Sequence, residues 1–403
     1  MKSPSVVVLG GGAAGFFAAI TAAEKGATVT LLEQGRGGLA KVKVSGGGRC
    51  NVTHACFDPK QLVQHYPRGG RELLGPFHHF QPRDTMAWFQ QRGVDLKVEA
   101  DGRVFPVSDQ SQTIIDALLN AAQKAGVRLH TGVASLELDQ DADGFRAKQG
   151  EALWTADRLL IATGSGERGY SWARQFGHSL VPRVPSLFTL AISDPRLKGL
   201  AGVAVDKAVL SLEGKGLPQS GPVLITHWGF SGPAVLRLSA WEARFLHQAG
   251  YQALLHVNWL GLKTEDVQKG LKGMRHQAPR QSVRTRPAFP MPQRLWERLV
   301  EASGVDESRR WADLTTTEAE SLAAELTQGV FEISGKGAFK EEFVTAGGIP
   351  LNEVNFSTME SRRCPNLYFA GEILDIDGVT GGFNFQSAWT TGWLAGRAMA
   401  KGH

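Results

Sequence analysis

The first forty residues constrain the fold more than any other part of the chain. A short apolar run at 6–9 leads directly into Gly-Gly-Gly-Ala-Ala-Gly at 10–15 and then into a stretch of small residues. A second apolar run, 27–32, ends at Glu33. This order of strand, glycine turn, helix, strand and acid is typical of a βαβ unit that binds a dinucleotide. The sequence therefore predicts an α/β fold built on a Rossmann-like unit.

The glycines of this turn have separate predicted roles. Gly10 permits the sharp turn out of the strand, Gly12 lets the backbone approach a pyrophosphate, and Gly15 allows the helix to pack closely on the strand. The free amides at the start of the helix favour a phosphate. Glu33, which lies 23 residues after Gly10, can accept hydrogen bonds from an adenosine ribose, and its charge disfavours a 2′-phosphate. We expect the site to hold FAD or NAD(H) rather than NADP(H).

A glycine-rich basic loop follows Glu33. Between 34 and 53, three consecutive glycines at 46–48 stand beside Lys, Ser, Arg and Asn. Such a loop can approach a polyphosphate or a ring closely, so we predict that it lines the cofactor. A flexible linker is the alternative interpretation.

A second literal GxGxxG occupies 164–169, after a predicted buried parallel strand at 157–164. An independent nicotinamide site is disfavoured there, because residue 187 is Leu where an acid is expected and the intervening segment is rich in Trp and Pro. Between the two motifs we predict a helix over 113–124 and a strand over 127–138. Val133 falls where chains of this type often pass the adenine.

From Val181 the pattern changes to short alternating runs separated by prolines, which predicts an antiparallel β subdomain. Inside it, Thr-His-Trp-Gly-Phe-Ser-Gly-Pro at 226–233 precedes a predicted helix over 234–246, for which Ser231 is a potential N-cap. His227 is either a structural histidine or an acid or ligand on the substrate side.

The segment 263–298 is markedly basic, with nine Lys and Arg against three acidic residues. It predicts part of a helical subdomain that continues to about residue 326. A solvated helix face and a contact with a polyanion such as RNA are both consistent with this charge. Aromatic residues are sparse in the segment, so a platform for base stacking is not indicated.

The last 65 residues return to the nucleotide-binding pattern. A predicted strand ends in Ala-Gly-Glu at 370–372, and a glycine turn at 381–382 precedes a helix of small residues. The carboxylate of Glu372 can bond to a polyol, and the start of the helix can face a ring carbonyl that becomes anionic on reduction. A nicotinamide dinucleotide has no polyol chain, so this second contact favours the ribityl chain and isoalloxazine of FAD.

The composition adds few constraints. The chain has 403 residues, which predicts two or three domains, and its net charge is +5. No apolar run is long enough to span a bilayer, and the beginning of the chain lacks a signal-peptide pattern. Three cysteines do not make a disulfide framework, so we expect a cytoplasmic protein. We expect no metal and no membrane contact.

Six motifs, in order along the chain, carry a resemblance to a known family. They are GGGAAG (10–15), SGGGRCNVT (45–53), GRVFP with SD (102–109), THWGFSGPA (226–234), VTAGGI (344–349) and TMES with LYFAGEILDIDGVTGGFNFQSAW (358–389). The whole chain resembles the BaiN/RdsA (YhiN-like) family of flavoproteins. The resemblance implies a split Rossmann-like FAD-binding domain of the two-dinucleotide type. It also implies an inserted β-barrel and a helical subdomain.

From these patterns and the resemblance we assign domains and cofactor contacts. The FAD-binding domain is placed at 1–190 and 336–403, the β-barrel-like insert at 191–262 and 322–335, and the helical insert at 263–321. The residues assigned to the cofactor are Gly10, Gly12, Ala13, Ala14, Gly15, Glu33, Gln34, Lys41, Ser45, Gly46, Gly47, Arg49, Asn51, Val133, Thr163, Gly164, Gly371, Glu372, Gly382, Phe383 and Asn384.

The resemblance implies flavin-dependent saturation of an activated C=C bond, with NADH or NADPH as a transient reductant. One branch of the family is linked to dihydrouridine formation in large-subunit rRNA and another to unsaturated bile-acid intermediates. Either an RNA or a small molecule is therefore the expected substrate, and the basic segment 263–298 is a candidate contact for rRNA. The alternatives are a small-molecule enone reductase, an amine or amino-ketone oxidase, and a non-enzymatic flavoprotein that binds RNA or the ribosome.

Cys50 is the first candidate for the catalytic acid, and His227 is the second. Cys50 lies on the predicted cofactor loop beside Arg49, and a thiol in such a setting can give a proton. A buried, inert thiol is the alternative. A flavin disulfide reductase is disfavoured, because the spacing from Cys50 to Cys56 would place the two on different faces of a helix.

Overall fold

The computed structural model describes residues 3–337 and 344–401. The chain divides into two compact units: unit 1 comprises Met1–Val184 and Val344–His403, and unit 2 comprises Pro185–Phe343. Both segments of unit 1 contribute strands to one sheet. The subdivision of the insert into two parts stays a prediction.

The first segment of unit 1 contains both strands and helices. Its strands are β1 (Ser5–Leu9), β2 (Thr28–Leu32), β3 (Thr53–His54), β4 (Leu96–Val98), β5 (Arg103–Pro106), β6 (Arg128–His130), β7 (Glu137–Asp141), β8 (Gly144–Gln149), β9 (Ala152–Ala156) and β10 (Arg158–Ile161), and β11 (Val181–Ser186) spans its boundary with unit 2. Its helices are α1 (Ala13–Glu24), α2 (Ala40–Val44), α3 (Pro59–Leu62), α4 (Gly70–His79), α5 (Pro82–Gln90), α6 (Ser111–Lys124) and α7 (Glu167–Gln175).

Unit 2 contributes β12 (Leu190–Ala191), β13 (Ala204–Leu212), β14 (Lys215–Ile225), β15 (Gly229–Ser231), β16 (Ala253–Asn258), β17 (Gly329–Ile333) and β18 (Gly335–Lys336). Its helices are α8 (Pro233–Trp241), α9 (Ala243–Gln248), α10 (Thr264–Gln277), α11 (Gln293–Ala302) and α12 (Thr316–Gln328). The chain then returns to unit 1 with β19 (Val344–Gly348), β20 (Val354–Asn355), β21 (Glu360–Ser361), β22 (Leu367–Phe369) and α13 (Phe383–Met399).

The main sheet of unit 1 has the strand order β20-β21-β22-β10-β1-β2-β6. The five strands from β22 to β6 run parallel, and β1 lies between β10 and β2. Apolar β1, with Val8 opposite Leu160 and Leu31, is buried, as expected for a strand covered on both faces. The predicted Rossmann-like α/β fold is confirmed. The predicted strand over 127–138 is wrong in extent, because only Arg128–His130 pairs with β2 and the next strand begins at Glu137.

Helices α1 and α13 approach each other so closely that glycine is required between them. A Cβ on Gly392 would lie 2.6 Å from the carbonyl oxygen of Ala14, and a Cβ on Gly396 would lie 2.5 Å from that of Ala18. Real Cβ atoms do not come so near to backbone oxygens. The crossing therefore joins the two segments of unit 1 and sets the start of α1 against the loop that follows β22.

The sheet of unit 2 closes into a barrel. Its order is β17-β16-β13-β14-β15-β12-β18. Strands β17 and β18 are separated by Ser334 alone, and they pair with β16 on one side and β12 on the other, so the two edges of the sheet meet. The rings of Phe230, Trp259 and Phe331 meet edge to face inside. Helix α12 packs on β16 and β17, and α10 packs on α12. The predicted inserted β-barrel is confirmed, and its separation from a helical subdomain stays a prediction.

Two predicted details of the segment after β15 are wrong. The predicted helix over 234–246 is two helices, α8 and α9, which meet at Glu242. The N-cap of α8 is Gly232 and not Ser231, which belongs to β15. Gly232 has φ +99, and a Cβ there would lie 2.8 Å from the oxygen of Pro222, so glycine is needed at the turn. No helix in the described part of the chain is long and apolar enough to cross a membrane.

Candidate functional site

The glycine turn leaves open space over the start of α1. A Cβ on Gly10 (φ +104) would lie 2.5 Å from the oxygen of Ala162, and one on Gly15 would overlap the oxygen of Gly10. These two glycines are therefore required by the fold itself. A Cβ on Gly12 would meet no heavy atom of the described chain within 4 Å. The resulting cradle, lined by the amides of the first turn of α1, fits a pyrophosphate.

The first two residues of α1 have different roles at that cradle. Ala13 is the first residue of the helix, so its amide has no partner within the helix. Ala14 is buried, and its Cβ would lie 2.8 Å from a Cβ on Gly371 (φ +75). The amide of Gly371 donates to the hydroxyl of Thr391 in α13 at 3.0 Å. Ala14 and Gly371 thus hold the loop after β22 against the turn.

The carboxylate of Glu33 is fixed by two backbone amides. One oxygen accepts from the amide of Gly11 at 2.6 Å, and the other accepts from that of Gly35 at 2.7 Å. Each carboxylate oxygen has a further lone pair, so hydrogen bonds from ribose hydroxyls can be added to these two. The predicted ribose contact is therefore chemically available at Glu33.

A cavity of about 390 Å³ lies beside this carboxylate. Its walls include Gln34 after β2, Val133 and Leu136 before β7, and Thr163 and Trp172 from the segment after β10. The hydroxyl oxygen of Thr163 is buried and has no partner in the described structure. An apolar slot with an unsatisfied polar atom suits the ring and edge of an adenine. Glycines of the second GxGxxG also line this cavity, so that motif contributes to the first site.

A second polar cluster gathers Lys41, Ser165, Thr345 and Glu372 from four separate segments. The ammonium of Lys41 pairs with the carboxylate of Glu372 and lies 3.5 Å from the hydroxyl of Ser165. The other oxygen of Glu372 accepts from the amide of Thr345 at 3.0 Å. A Cβ on Gly164 would lie 3.5 Å from Glu372, so this turn also borders the cluster. The side chain of Lys41 is 57% exposed, and a solvated pair of this kind can exchange partners for a polyol or phosphate at little cost.

The start of α13 is held in place by the 45–53 loop. Gly382, the N-cap, has φ +94, and a Cβ on it would lie 2.5 Å from the oxygen of Thr53. In the orientation that satisfies its neighbours, the amide of Asn51 accepts from the amide of Gly382 at 3.0 Å and donates to the oxygen of Thr53 at 2.9 Å. The indole of Trp389 donates to the oxygen of Val52 at 2.9 Å. The loop and the helix therefore form one rigid piece.

Phe383 begins α13, and its ring lies between two imidazoles. The centroids of the His54 and His65 rings are 4.6 and 4.2 Å from that of Phe383, and both pairs are stacked. The hydroxyl of Tyr66 donates to the oxygen of Phe383 at 2.6 Å. The side chain of Asn384 bonds to both the amide and the oxygen of Gly378 at 2.8 Å. The amide side chain of Asn384 thus closes the preceding turn, which leaves its backbone amide as the group available to a cofactor.

Three consecutive glycines of the predicted cofactor loop have a left-handed backbone. Gly46, Gly47 and Gly48 have φ values of +58, +68 and +84, a conformation that favours glycine at all three positions. The hydroxyl of Ser45 donates to the oxygen of Val42 at 2.9 Å. Arg49 pairs with Glu99 at 2.7 Å and lies 3.9 Å over the ring of Phe105. The charge of Arg49 is thus already compensated within the fold.

The structure argues against Cys50 as an acid near neutral pH. Its side chain is completely buried, and it adopts a positive φ of 60°. Burial raises the pKa of the thiol to about 12, although a hydrogen bond with Ser45 acts in the opposite direction. A neighbouring arginine was expected to lower the pKa of the thiol, but burial has the larger effect. The pKa of a thiol depends on the solvent and the charges around the sulfur and not on proximity in the sequence.

We therefore expect Cys50→Ala to keep turnover within about threefold of the wild type, because a completely buried thiol does not contact a substrate. Steady-state rates with bound FAD measured alongside check this expectation. A loss of turnover of several orders of magnitude at unchanged FAD content would restore Cys50 as the acid.

The thiol also predicts a pH dependence of stability. Its folded pKa, about 12, lies above the ordinary value of 9.0, so its contribution is fully present below pH 9.0 and is lost as the pH rises towards 12. We expect wild-type protein to lose more stability over this interval than Cys50→Ala. Parallel unfolding curves for the two proteins over that interval would contradict the buried-thiol assignment.

His227 lies in unit 2, in the turn between β14 and β15. It is exposed, and the neighbouring Trp228 is 63% exposed. The hydroxyl of Thr226 fixes this turn through the oxygen of Gly229 at 3.1 Å. The role of His227 on the substrate side stays a prediction.

Several residues of the site could not be assigned from sequence. Gly11 and Gly35 act through backbone amides, which carry no residue signature. Trp172 and Leu136 line the cavity beside Glu33 from segments that were not assigned to the cofactor. A search for residues that follow each parallel strand would have found Ser165, since ligands collect at the carboxyl ends of such strands.

Comparison with known proteins agrees with this geometry. The model of the family described as HI0933-like protein Rossmann domain matches residues 4–398. The chain belongs to the HI0933-like family. A relative from Clostridium scindens, named 3-dehydro-bile acid delta(4,6)-reductase, is 32% identical over 98% of this chain and 98% of its own. The Escherichia coli protein named ribosomal RNA dihydrouridine synthase is 30% identical over 99% of this chain and 98% of its own.

Solved structures show the same fold at low identity. A 3-ketosteroid-delta4-(5alpha)-dehydrogenase from Rhodococcus jostii covers 100% of this chain and 98% of its own with a TM-score of 0.51 and 16% identity. A 3-ketosteroid delta1-dehydrogenase from Sterolibacterium denitrificans covers 99% and 100% with a TM-score of 0.52 and 13% identity. This HI0933-like protein is an enzyme, an FAD-dependent oxidoreductase, as the sequence predicts.

Proposed function

We propose that this protein uses FAD, reduced by NADH or NADPH, to saturate an activated C=C bond. The proposed substrate is a uracil base in large-subunit rRNA, which becomes dihydrouridine. The observation that carries the proposal is full-length similarity to relatives whose names describe this chemistry on two different molecules. Formation of dihydrouridine adds two hydrogens to the uracil C5=C6 bond, and a delta(4,6)-reductase adds them to a steroid double bond. Both bonds are conjugated to a carbonyl.

When bound, reduced FAD supplies the hydride for such a reaction. The residues of unit 1 form a row that fits the parts of this cofactor. The cradle at Gly12 fits the pyrophosphate, and the fixed carboxylate of Glu33 fits the adenosine ribose. The pair of Lys41 and Glu372 offers donors and acceptors to a polyol. These donor types support FAD as the cofactor.

The first turn of α13 supplies electrostatic stabilisation. Its free amides and the helix dipole favour negative charge at a ring carbonyl, such as the one that gains charge when a flavin is reduced. Contacts within the protein hold this turn, because Asn51 and Tyr66 bind Gly382 and Phe383 from two sides. Donors that need no rearrangement stabilise charge most effectively.

Analysis of rRNA from a strain that lacks the gene tests the substrate. We expect nuclease digestion and mass spectrometry of its large-subunit rRNA to show loss of dihydrouridine. Re-expression of the wild type should restore the modification, and re-expression of Gly12→Asp should not. Unchanged dihydrouridine in the deletion strain would contradict the rRNA assignment.

A small conjugated enone is the second candidate substrate, and the bile-acid relative at 32% identity favours it. Turnover of a steroid dienone and of rRNA by the same preparation separates the two. Consumption of the dienone with no dihydrouridine formed would select the small molecule.

A further inference from the structure

We propose that unit 2 carries an RNA-binding surface, the α10 basic face, made of Lys269, Lys272 and Arg280, which contacts phosphates of the RNA backbone. The inference rests on the proposed function, because it assumes an RNA substrate. The inference goes beyond the proposed function because it names the cations of the segment 263–298 that bind RNA. It separates them from the cations that make contacts within the fold.

Four cations of the segment are engaged by the fold. Arg275 and Arg294 donate to the backbone oxygens of Leu314 and Gly199. Arg284 and Arg298 pair with the carboxylates of Glu307 and Glu301. A guanidinium that satisfies a carbonyl or carboxylate of its own protein has less to offer a phosphate. Four of the nine cations in this segment are therefore engaged within the fold.

The α10 basic face differs in both exposure and partners. The side chain of Lys269 is 79% exposed, and its ion pair with Asp266 is long, at 3.7 Å. Lys272 and Arg280 are exposed, and their charged groups have no hydrogen bond or ion pair within the described residues. Three cations that the fold does not use remain available to a ligand.

Helix α10 holds this face at a fixed orientation. Its opposite side buries Val267, Leu271 and Met274 in the core of unit 2. Lys269 and Lys272 are three residues apart, so they lie on one side of the helix and about 4.5 Å apart along its axis. Arg280 continues the charge past the end of the helix. Stabilisation of the helix dipole accounts for acids in the first turn and for Arg275 in the last, but not for Lys269 in the middle or Arg280 beyond the end.

Neither aromatic side chain of the segment 263–298 is available for base stacking, and this favours contact with the RNA backbone. Trp296 is completely buried, and its indole donates to the oxygen of Val283 at 2.7 Å. Phe289 is half-buried against Gly270. Neither ring is presented for base stacking, so the surface is suited to phosphates and binds without sequence preference. It positions the RNA, while the target base is selected elsewhere.

The test compares a triple variant with a charge-matched control. The variant carries Lys269→Gln, Lys272→Gln and Arg280→Gln, and the control carries Lys124→Gln, Lys148→Gln and Lys401→Gln, which remove the same charge from exposed positions of unit 1. Binding of holoenzyme to a fluorescent uridine-rich RNA strand is measured over a range of salt concentrations. Loss of three phosphate contacts should reduce the slope of log K against log salt by about 2 and weaken binding at low salt by about tenfold.

The control should keep the wild-type slope. A wild-type slope in the triple variant, or an equal loss in the control, would overturn the proposal. Equally tight competition by polyglutamate, which would indicate an acidic protein partner, would overturn it too. FAD content and flavin reduction by NADPH should be unchanged in the triple variant. Failure of the proposed function would be visible separately, as absence of dihydrouridine formation by the wild type, and would leave the salt slopes intact.

Discussion

Apoprotein that carries Gly12→Asp should fold at least as stably as the wild type and bind FAD about a hundred-fold more weakly or worse. The substitution fits the fold, because Gly12 has φ −90 and a Cβ there meets no atom of the described chain within 4 Å. Aspartate is also a favourable N-cap residue with a charge suited to a helix start. The same carboxylate would occupy the cradle and repel a pyrophosphate. Stability and affinity should therefore change in opposite directions.

Gly75→Asp is the matched control for this variant. Gly75 lies in α4 of the same unit, has a negative φ and has no atom of the described structure within 4 Å of a Cβ. Titration of each apoprotein with FAD, followed by flavin fluorescence, gives the affinities, and thermal unfolding gives the stabilities. Normal FAD affinity in Gly12→Asp would show that the pyrophosphate does not lie over the start of α1.

Replacement of Gly392 by Val should destabilise the protein by about 3 kcal/mol or more. The first added carbon would lie 2.6 Å from the oxygen of Ala14, and a backbone oxygen cannot move aside as a flexible side chain can. Helices α1 and α13 would have to separate. Because both helices begin at the proposed cofactor site, FAD should also be retained more weakly.

Gly75→Val provides the comparison, since it introduces the same side chain into a helix without a steric conflict. Val has a higher helix propensity than Gly, so this control should be no less stable than the wild type. Chemical denaturation of the two variants, with FAD content measured after gel filtration, checks the expectation. Equal stability of Gly392→Val and Gly75→Val would contradict the close crossing of α1 and α13.

Local patterns predicted the parts of this protein that local forces determine. The strand, glycine turn and helix at 5–24 follow from β-branched residues, a turn that needs glycine, and small residues that pack. The acid at Glu33 and the glycine-capped helix α13 were predicted for the same reason. The inserted barrel was predicted from short alternating runs and from the family resemblance.

The remaining features depend on contacts between residues far apart in the chain. The packing of Gly392 on Ala14 joins positions 378 residues apart, and no periodicity identifies such a partner. The burial of Cys50 is a property of the folded loop, so its position beside Arg49 in the sequence does not by itself determine how the thiol reacts. The sequence disfavours a separate nicotinamide site at the second GxGxxG, but the place of this motif beside the Glu33 cavity is visible only in the structure.

The roles of the cations in the basic segment 263–298 also depend on contacts that the sequence does not reveal. Its net charge is visible in the sequence, but the difference between Arg284, which pairs with Glu307, and Lys272, which is exposed, is not. Only the fold separates structural cations from available ones.

The most direct measurement mixes anaerobically reduced holoenzyme with rRNA from the deletion strain and follows flavin absorbance together with dihydrouridine content. The proposed function requires that the flavin be reoxidised by the RNA and that dihydrouridine appear in an amount equal to the flavin oxidised. A flavin that stays reduced with rRNA and with a conjugated enone, and is reoxidised only when oxygen is admitted, would contradict a C=C reductase and indicate an oxidase.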